Sequence, residues 1–505
     1  MKKAKKLISA LLGLCMTVST FSVMPVNARG ELPQGDVDGN GKFSLIDMIA
    51  VNRWLHTPQF FKDWQYYGYQ WKNADWNGDG KVNVIDLALM KRSLTEEIKI
   101  LNPILHATNL SASVNAQSVN GKEIDEDFIL KQTAFYLNLM QKTAQDGTNT
   151  LISPYSVVQA LAMTANGADG QTLSEMENVI GGGMSMDELN PYLYTQRINQ
   201  PNTEECKLLT ANSIWCRDYH PAPFNDIPFV VKEDFLQTNK NFYDSDVFTA
   251  PFDETTLNDI NDWTNAHTDK MIPHLLENLP EEAVMALVNA VTFDAKWSDT
   301  YYDSYEEKNW FTDSNGTAQT ADVLYGEEHR YLSDEHSTGF MKSYEGGRYA
   351  FVAILPEQGM TTTEYLNTLT ADSLHNMLTS PEYTTVYTRM PKFSYEYEIH
   401  LPDTLKEMGM PTAFDIDTAD FSRMADPLPD HNICIDDVIH KTFIDVTEDG
   451  TRAAAATIVL MTECATEPPP PENPKYVTLN RPFVYYIVDT QTNLPVFMGT
   501  VESLT

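Results

Sequence analysis

A twelve-residue pattern of oxygen-bearing side chains occurs twice near the N-terminus, at a spacing of 39 residues. In each copy, positions 1, 3, 5, 9 and 12 carry side-chain oxygens, and position 6 is a glycine. Ca²⁺ takes six to eight oxygen ligands, and glycine permits the sharp turn that such a loop requires. Two loops in tandem, each followed by an apolar-periodic helix, predict two bound calcium ions. The predicted ligands, with the lysines giving backbone carbonyls, are Asp36, Asp38, Asn40, Lys42, Ser44 and Asp47, and Asp75, Asn77, Asp79, Lys81, Asn83 and Asp86.

The repeat differs from an EF-hand because position 12 is Asp and because each loop is followed by one helix, predicted over 45–55 and 84–94, with none before it. In these features residues 33–101 resemble a dockerin, a small all-α module that binds cohesins on cellulosomal scaffolds. The resemblance implies Ca²⁺ as cofactor and a cohesin as partner. Loop positions 10 and 11, often Ser-Thr in dockerins, are Leu45-Ile46 and Val84-Ile85 here, which leaves the cohesin class open.

An aromatic insert separates the two loops. It is interpreted as a small local core that stabilises the module, or alternatively as a surface that faces a cohesin or a sugar. Its members are Phe60, Phe61, Trp64, Tyr66, Tyr67, Tyr69 and Trp71.

The first 28 residues have the pattern of an export signal. Four lysines precede a mostly apolar run from Leu7 to Val26, and Val26-Asn27-Ala28 suits a signal peptidase. We therefore expect cleavage after Ala28 and a secreted protein, with a retained membrane anchor as the alternative. No later stretch approaches the ~20 apolar residues of a membrane span, so surface attachment is expected to be noncovalent.

Charge excludes several function classes. The chain has 35 basic and 71 acidic residues, a formal charge of −36. Binding to nucleic acid or to an anionic membrane surface requires clustered Lys and Arg, so neither is expected. With 42% hydrophobic residues in 505, the chain can bury a sizeable core.

A polar, small-residue segment over 102–125 is typical of a flexible linker. From residue 126 to 505, helical and strand-like patterns alternate irregularly, which favours an α+β domain. We predict helices over 127–145, 258–276 and 401–408, and a helix beginning at Ser153-Pro154. Strands are predicted over 284–293, 349–355, 483–489 and 496–501.

Five ordered motifs in this domain resemble the serpin family. They are Asn149 to Ser156, Asn289 to Trp297, Met390-Pro391-Lys392-Phe393, His440 to Thr457 with its Glu-Asp-Gly-Thr-Arg-Ala-Ala-Ala-Ala-Thr run, and Arg481-Pro482-Phe483 with Val496 to Gly499. The resemblance implies three β-sheets, about nine helices and an exposed reactive-centre loop. It further implies a monomeric protease inhibitor, not an enzyme, whose cleaved loop inserts into a sheet as an extra strand.

The loop sequence suits such insertion. A central strand needs alternate residues that can enter a core, and it excludes proline. The alternate residues that would face the core, here called the inward set, are uncharged. The loop contains no proline between Glu448 and Pro468. The alanine run also has helical propensity, so a helix is the alternative interpretation. The hinge residues are Glu448, Gly450, Thr451, Ala453, Ala455 and Thr457. The inward set is Thr451, Ala453, Ala455, Thr457, Val459 and Met461.

By resemblance, the bond that a protease attacks follows the seventeenth residue counted from Glu448, which places it between Cys464 and Ala465. A shift of one to three residues toward Met461 is the alternative. A small residue before the bond suits an elastase-like or subtilisin-like serine protease. The Cys464 thiol is either a redox-sensitive group or simply a small side chain.

The resemblance also assigns residues that control opening of the sheet. Ser153, Ser156, Asn289 and His440 match positions that control sheet opening in the family, and Trp297 matches the upper opening point, where the hinge first enters. Glu448 is expected to pair with Lys392. Without the resemblance, each would be interpreted as an ordinary core residue.

Three functions remain open. The first is a suicide inhibitor of a serine protease, or alternatively of a cysteine protease. The second is a noninhibitory serpin-fold binding module. The third is a carbohydrate-active enzyme, the usual cargo of a dockerin, which no residue pattern here supports.

Overall fold

The computed structural model of the chain describes residues 34–56, 71–101, 103–279, 283–427, 432–451 and 473–504, except 39, 41, 79, 204, 221–223, 225, 226, 302 and 303. The predicted signal peptide and residues 60–70 of the aromatic insert therefore lie outside the described residues. The chain divides into two compact units, one within residues 1–96 and the other beginning at Glu97. Among the described helices, none combines the length and apolarity needed to cross a membrane.

The first unit consists of two loops, each followed by a helix. Helix α1 (Leu45–His56) and helix α2 (Val84–Leu101) begin where the sequence predicts, and a short 3₁₀ turn, Trp71–Ala74, precedes the second loop. The rings of Phe43 and Trp76 are 4.9 Å apart and join a small core built on Val37, Val51 and Met90. The repeats therefore pack against each other as one module.

The described part of the second unit has nine α-helices, as the serpin resemblance implies. Side-chain caps explain two of their starts: Asp125 accepts a hydrogen bond from the Phe128 N–H, and Ser153 caps the next helix ahead of Pro154. The helices are α3 (Glu126–Thr143), α4 (Pro154–Ala165), α5 (Gly170–Gly181), α6 (Met186–Ile198), α7 (Glu233–Tyr243), α8 (Glu254–His267), α9 (Thr362–Leu366), α10 (Ala371–Thr379) and α11 (Pro402–Met408).

The described strands of this unit form a seven-stranded and a nine-stranded sheet. In spatial order, the first contains β1 (Thr108–Asn109), β4 (Asp246–Ala250), β3 (Cys206–Arg217), β5 (Met285–Lys296), β13 (Gly450–Thr451), β12 (Val438–Val446) and β11 (Phe393–His400). The second contains β14 (Lys475–Thr478), β10 (Glu382–Pro391), β7 (Ala318–Ser333), β8 (Ser337–Ser343), β9 (Tyr349–Pro356), β15 (Phe483–Asp489), β16 (Leu494–Val501) and β2 (Thr150–Ile152), with β6 (Ser304–Thr312) paired to β7.

The long strand β7 explains why three expected sheets appear as two. Most of β7 pairs with β6 and β10, whereas its last three residues, Tyr331–Ser333, pair with β8. Two of the sheets are thereby hydrogen-bonded into one continuous ladder.

The helix predicted over 258–276 differs from the structure at both ends. Helix α8 begins earlier and ends at His267. Asp269 and Lys270 adopt positive φ angles of 48° and 66°, which an α-helix cannot accommodate. The apolar residues that follow, including Ile272 and Leu275, are nevertheless buried in the core, and this burial produced the apparent periodicity.

The segment predicted as a flexible linker, 102–125, also differs from that expectation. Thr108 and Asn109 pair with β4 at the edge of the seven-stranded sheet. The Asp259 carboxylate on α8 accepts hydrogen bonds from the backbone N–H groups of His106 and Ala107, both at 2.7 Å. Polar composition alone cannot reveal these partners, because they lie about 150 residues away in the sequence.

Candidate functional site

Four buried residues join β5, β12 and the start of α4 in the middle of the seven-stranded sheet. The Ser153 N–H donates to Nε2 of His440 (2.9 Å), and Nδ1 of His440 lies 2.7 Å from Oδ1 of Asn289. The Asn289 amide donates to the hydroxyl and carbonyl oxygens of Ser156, both at 2.7 Å. Because β5 pairs with β12 at Asn289 and His440, a strand that enters between them must break this link.

These contacts fix the protonation of His440. Nε2 accepts a hydrogen bond from a backbone N–H, so the ring proton lies on Nδ1, where it can donate to Asn289. His440 is fully buried, and burial lowers its pKa to about 3. The imidazole is therefore neutral near pH 7.

At one end of the sheet, Gly450 and Thr451 already lie between β5 and β12. Gly450 pairs with Lys296, and Thr451 with Ala295 and Val446. A Cβ atom at Gly450 would lie 2.2 Å from the carbonyl oxygen of Ala295, so only glycine fits without movement. At the other end, residues 438–442 pair directly with 287–291. The sheet is thus parted at one end, where Gly450 and Thr451 separate β5 from β12, and closed at the other, where these two strands pair directly.

Trp297 forms the wall of the parted end. Its indole N–H donates to the Thr447 carbonyl (2.9 Å), and its ring stacks on Tyr344 with centroids 4.5 Å apart. The Tyr344 hydroxyl lies 2.5 Å from the Thr451 hydroxyl. The side chain of Thr451 therefore points into the core, as an inserting strand requires.

Lys392 and Glu448 form the predicted ion pair, with 2.6 Å between Nζ and Oε2. The hydrogen bond that Lys392 donates to Glu448 is the main cause that lowers the pKa of Glu448. Both side chains are partly exposed, so the pair contributes little net stability. Its geometric effect is to hold the chain just before the hinge.

The first calcium loop brings three carboxylates together. Ligand atoms of Asp36, Asp38 and Asp47 all lie within 4.8 Å of one another. Burial, followed by repulsion from its two acidic neighbours, raises the pKa of Asp38. A divalent cation would relieve this repulsion, and carboxylate oxygens are the ligands that Ca²⁺ prefers. The residues present therefore fit the ion.

The second loop repeats this geometry in its described residues. Oδ1 of Asp86 accepts hydrogen bonds from the N–H groups of Trp76 and Asn77, as Oδ1 of Asp47 does from those of Val37 and Asp38. Asp79 lies outside the described residues. The two loops are local copies of each other.

Comparison with known proteins decides the family. Residues 130–504, well over half of the chain, match the family described as Serpin (serine protease inhibitor). The chain belongs to the serpin family. Residues 34–95 match the Dockerin type I domain, so this serpin carries an N-terminal dockerin, a calcium-binding module.

Three similar proteins show the range of this serpin's relatives. A serpin-like protein of Thermococcus kodakarensis is 30% identical, with 72% of this chain and 83% of the relative covered. Leukocyte elastase inhibitor A of Mus musculus is 26% identical and covers 74% and 98%. The crystal structure of the thermophilic serpin tengpin in its native state is 42% identical, with a TM-score of 0.74 and coverage of 79% and 100%.

Part of the predicted site lies outside the residues that the structure describes. This holds for Cys464 and Ala465 and for the hinge residues Ala453, Ala455 and Thr457. Their assignment stays a prediction from the serpin resemblance.

Sequence reasoning missed residues behind the hinge of this serpin. Tyr344 binds Thr451 and stacks on Trp297, and the buried Lys342 pairs with Glu328 at 2.7 Å. The only signal in the sequence is that Lys342 and Glu328 are charged residues among apolar strand positions. Nothing local indicates their partners.

Proposed function

We propose that this serpin is a secreted inhibitor that traps a serine protease as a suicide substrate. The observation that supports this most directly is the parted sheet, in which Gly450 and Thr451 already occupy the first positions of an additional strand. The hinge residues that follow, Ala453, Ala455 and Thr457, are small and uncharged, so they suit burial in the same strand.

The reaction uses the nucleophile of the protease. Its serine oxygen bonds to the carbonyl carbon of Cys464, the Cys464–Ala465 peptide bond breaks, and the amine of Ala465 leaves with a proton. Insertion of the freed loop must then outrun hydrolysis of the acyl bond by water. The link from Ser153 through His440 to Asn289 sets the resistance to that insertion, because the new strand must separate His440 from Asn289.

We further propose that two calcium ions order the dockerin, which binds a cohesin on a scaffold outside the cell. Apolar side chains at loop positions 10 and 11 support this docking role. Leu45, Ile46, Val84 and Ile85 are at least half exposed, although such side chains are usually buried. The inhibitor would then protect a surface enzyme complex from proteolysis.

The test is incubation of the mature chain with subtilisin, elastase, trypsin and papain, read on a denaturing gel and by mass spectrometry. We expect a covalent adduct with subtilisin or elastase and a released peptide that begins at Ala465. The variant Thr451→Arg places a charge at a buried hinge position, so its loop should be cleaved without an adduct. Thr320→Arg, at an exposed position on β7, is the matched control and should form the adduct.

Two outcomes would contradict trapping by loop insertion, and a third would change the class of the target protease. Cleavage of the wild-type loop without an adduct, for every protease, would favour the noninhibitory alternative. An adduct from Thr451→Arg as efficient as that of the wild type would exclude loop insertion as the trapping step. An adduct with papain alone would shift the target to cysteine proteases.

A further inference from the structure

Four exposed tyrosines lie across neighbouring strands of the nine-stranded sheet and form a surface that we call the tyrosine band. Its members are Tyr305 on β6, Tyr325 on β7, Tyr387 on β10 and Tyr476 on β14. Their side chains are 36–70% exposed. Large aromatic side chains at this exposure on the face of a sheet are a feature of interaction surfaces.

The register shows that the band is continuous. Tyr387 lies opposite Tyr476, and Arg389 lies opposite Tyr325. Because Tyr387 and Arg389 are two residues apart, their side chains share a face of the sheet. The rings of Tyr387 and Tyr476 are 5.5 Å apart, and those of Tyr305 and Tyr325 are 5.8 Å apart.

Arg389 holds the centre of the band in place. It donates to the Tyr325 hydroxyl (2.9 Å), pairs with Glu307, and lies 5.0 Å from the centre of the Tyr325 ring. Tyrosines held in one arrangement bind a partner at little cost in conformational entropy.

The tyrosine band is close in the sequence to the reactive-centre loop. Strand β14, which carries Tyr476, starts at Lys475, only ten positions after Ala465 in the sequence. Ten residues reach about 33–36 Å at full extension. A protease of about 250 residues has a radius of gyration of about 18 Å. A protease bound at the Cys464–Ala465 bond therefore lies within reach of the tyrosine band.

From this arrangement we propose that the tyrosine band is a second contact site for the protease that attacks the loop. The proposal rests on the proposed inhibitory function. The band acts in the first encounter, because loop insertion afterwards carries the protease away from it. It therefore raises the rate of association and leaves the later competition between insertion and hydrolysis unchanged.

A sugar-binding role fits the geometry less well. Stacking on a glycan favours open, parallel rings, whereas the Tyr305 and Tyr325 rings stand at 75° to each other. Arg389 also lies over the Tyr325 ring. A protein partner can adapt to such an uneven surface, and Tyr and Arg are enriched at the positions that dominate protein–protein binding.

The test compares second-order rate constants for adduct formation with subtilisin and elastase. In the mature chain, Tyr387→Ala/Tyr476→Ala should lower the rate at least about fivefold, with an unchanged ratio of inhibitor to protease at full inhibition. Tyr219→Ala is the matched control, because Tyr219 is 46% exposed and follows β3 at the end of the seven-stranded sheet remote from the hinge. Tyr387→Phe/Tyr476→Phe should retain the rate, and thermal unfolding checks that each variant folds.

Each outcome decides a different point. Equal rates for the alanine variant and the wild type would refute the proposed contact site but would not affect the proposed inhibitory function. If proteases cleave the loop without an adduct, the inhibitory function fails, and the rate of cleavage replaces adduct formation as the test of the band. If no protease attacks the loop, both proposals fail. Retardation by a soluble β-glucan, or self-association in sedimentation, that is abolished by the alanine variant would assign the band to a sugar or to a second copy.

Discussion

The protonation of His440 provides the sharpest quantitative prediction. In the unfolded chain its pKa is about 6.5, whereas in the folded protein it is about 3. A proton on Nε2 would face the N–H of Ser153, so acid must disrupt this contact before the ring is charged. Between these two pKa values the unfolded state binds the proton and the folded state does not. The contribution of His440 to stability is therefore lost as pH falls from about 6.5 toward 3.

The size of the effect follows from the two pKa values. Each pH unit in this window costs about 1.4 kcal/mol, so lowering the pH from 7 to 5 should remove about 2 kcal/mol of stability through this residue alone. The variant His440→Asn removes the titrating group but leaves the Ser153 N–H without its acceptor. That loss costs about 1–3 kcal/mol at every pH.

The assay is urea unfolding of the wild type and of His440→Asn at pH 5, 6 and 7, followed by tryptophan fluorescence. Other histidines and carboxylates titrate equally in both proteins, so the difference between the two curves isolates His440. We expect the variant to be less stable at pH 7 and the two proteins to converge toward pH 5. A gap that stays constant over this range would refute the argument that burial keeps His440 neutral.

Three further predictions concern the hinge, the segment over 102–125 that Asp259 holds, and the calcium loops. Gly450→Val would collide with β5, so the number of inhibitor molecules needed per protease should rise severalfold while the loop is still cleaved; an unchanged ratio would contradict this. Asp259→Asn weakens the acceptor of two backbone N–H groups and should lower the free energy of unfolding by about 1–3 kcal/mol, measured in urea against the exposed control Asp262→Asn. Asp47→Ala and Asp86→Ala should each reduce the calorimetric Ca²⁺ stoichiometry from two to one, and a value of two in either variant would refute the ligand assignment.

The elements that could be predicted from the sequence are those with a strong local pattern. The strand Phe483–Asp489 begins and ends as expected, and helix α1 extends one residue beyond its prediction. The cluster of Ser153, Asn289 and His440 could be expected only through the serpin resemblance, because its members are well over a hundred residues apart. Their types alone suggest ordinary core residues.

The remaining features depend on contacts between distant segments. Residues 106–109 are fixed by Asp259 and β4, neither of which is visible in their own composition. The tyrosine band takes one residue from each of four strands, so no stretch of sequence contains more than one member. Tertiary pairing, which local propensity cannot describe, produces both.

The nine-stranded sheet constrains the order in which the chain can fold. Strand β2, at Thr150–Ile152, pairs with β16 at Thr500–Met498, which closes a loop of 350 residues. Contacts of such separation slow folding, because the entropy of closing the loop is lost before the contacts form. Until β15 and β16 are available, the fully buried strand β9 presents an apolar edge, and unpaired edges of this kind invite aggregation. A nascent chain that stops before residue 483 would therefore be a substrate for chaperones rather than a partly functional serpin.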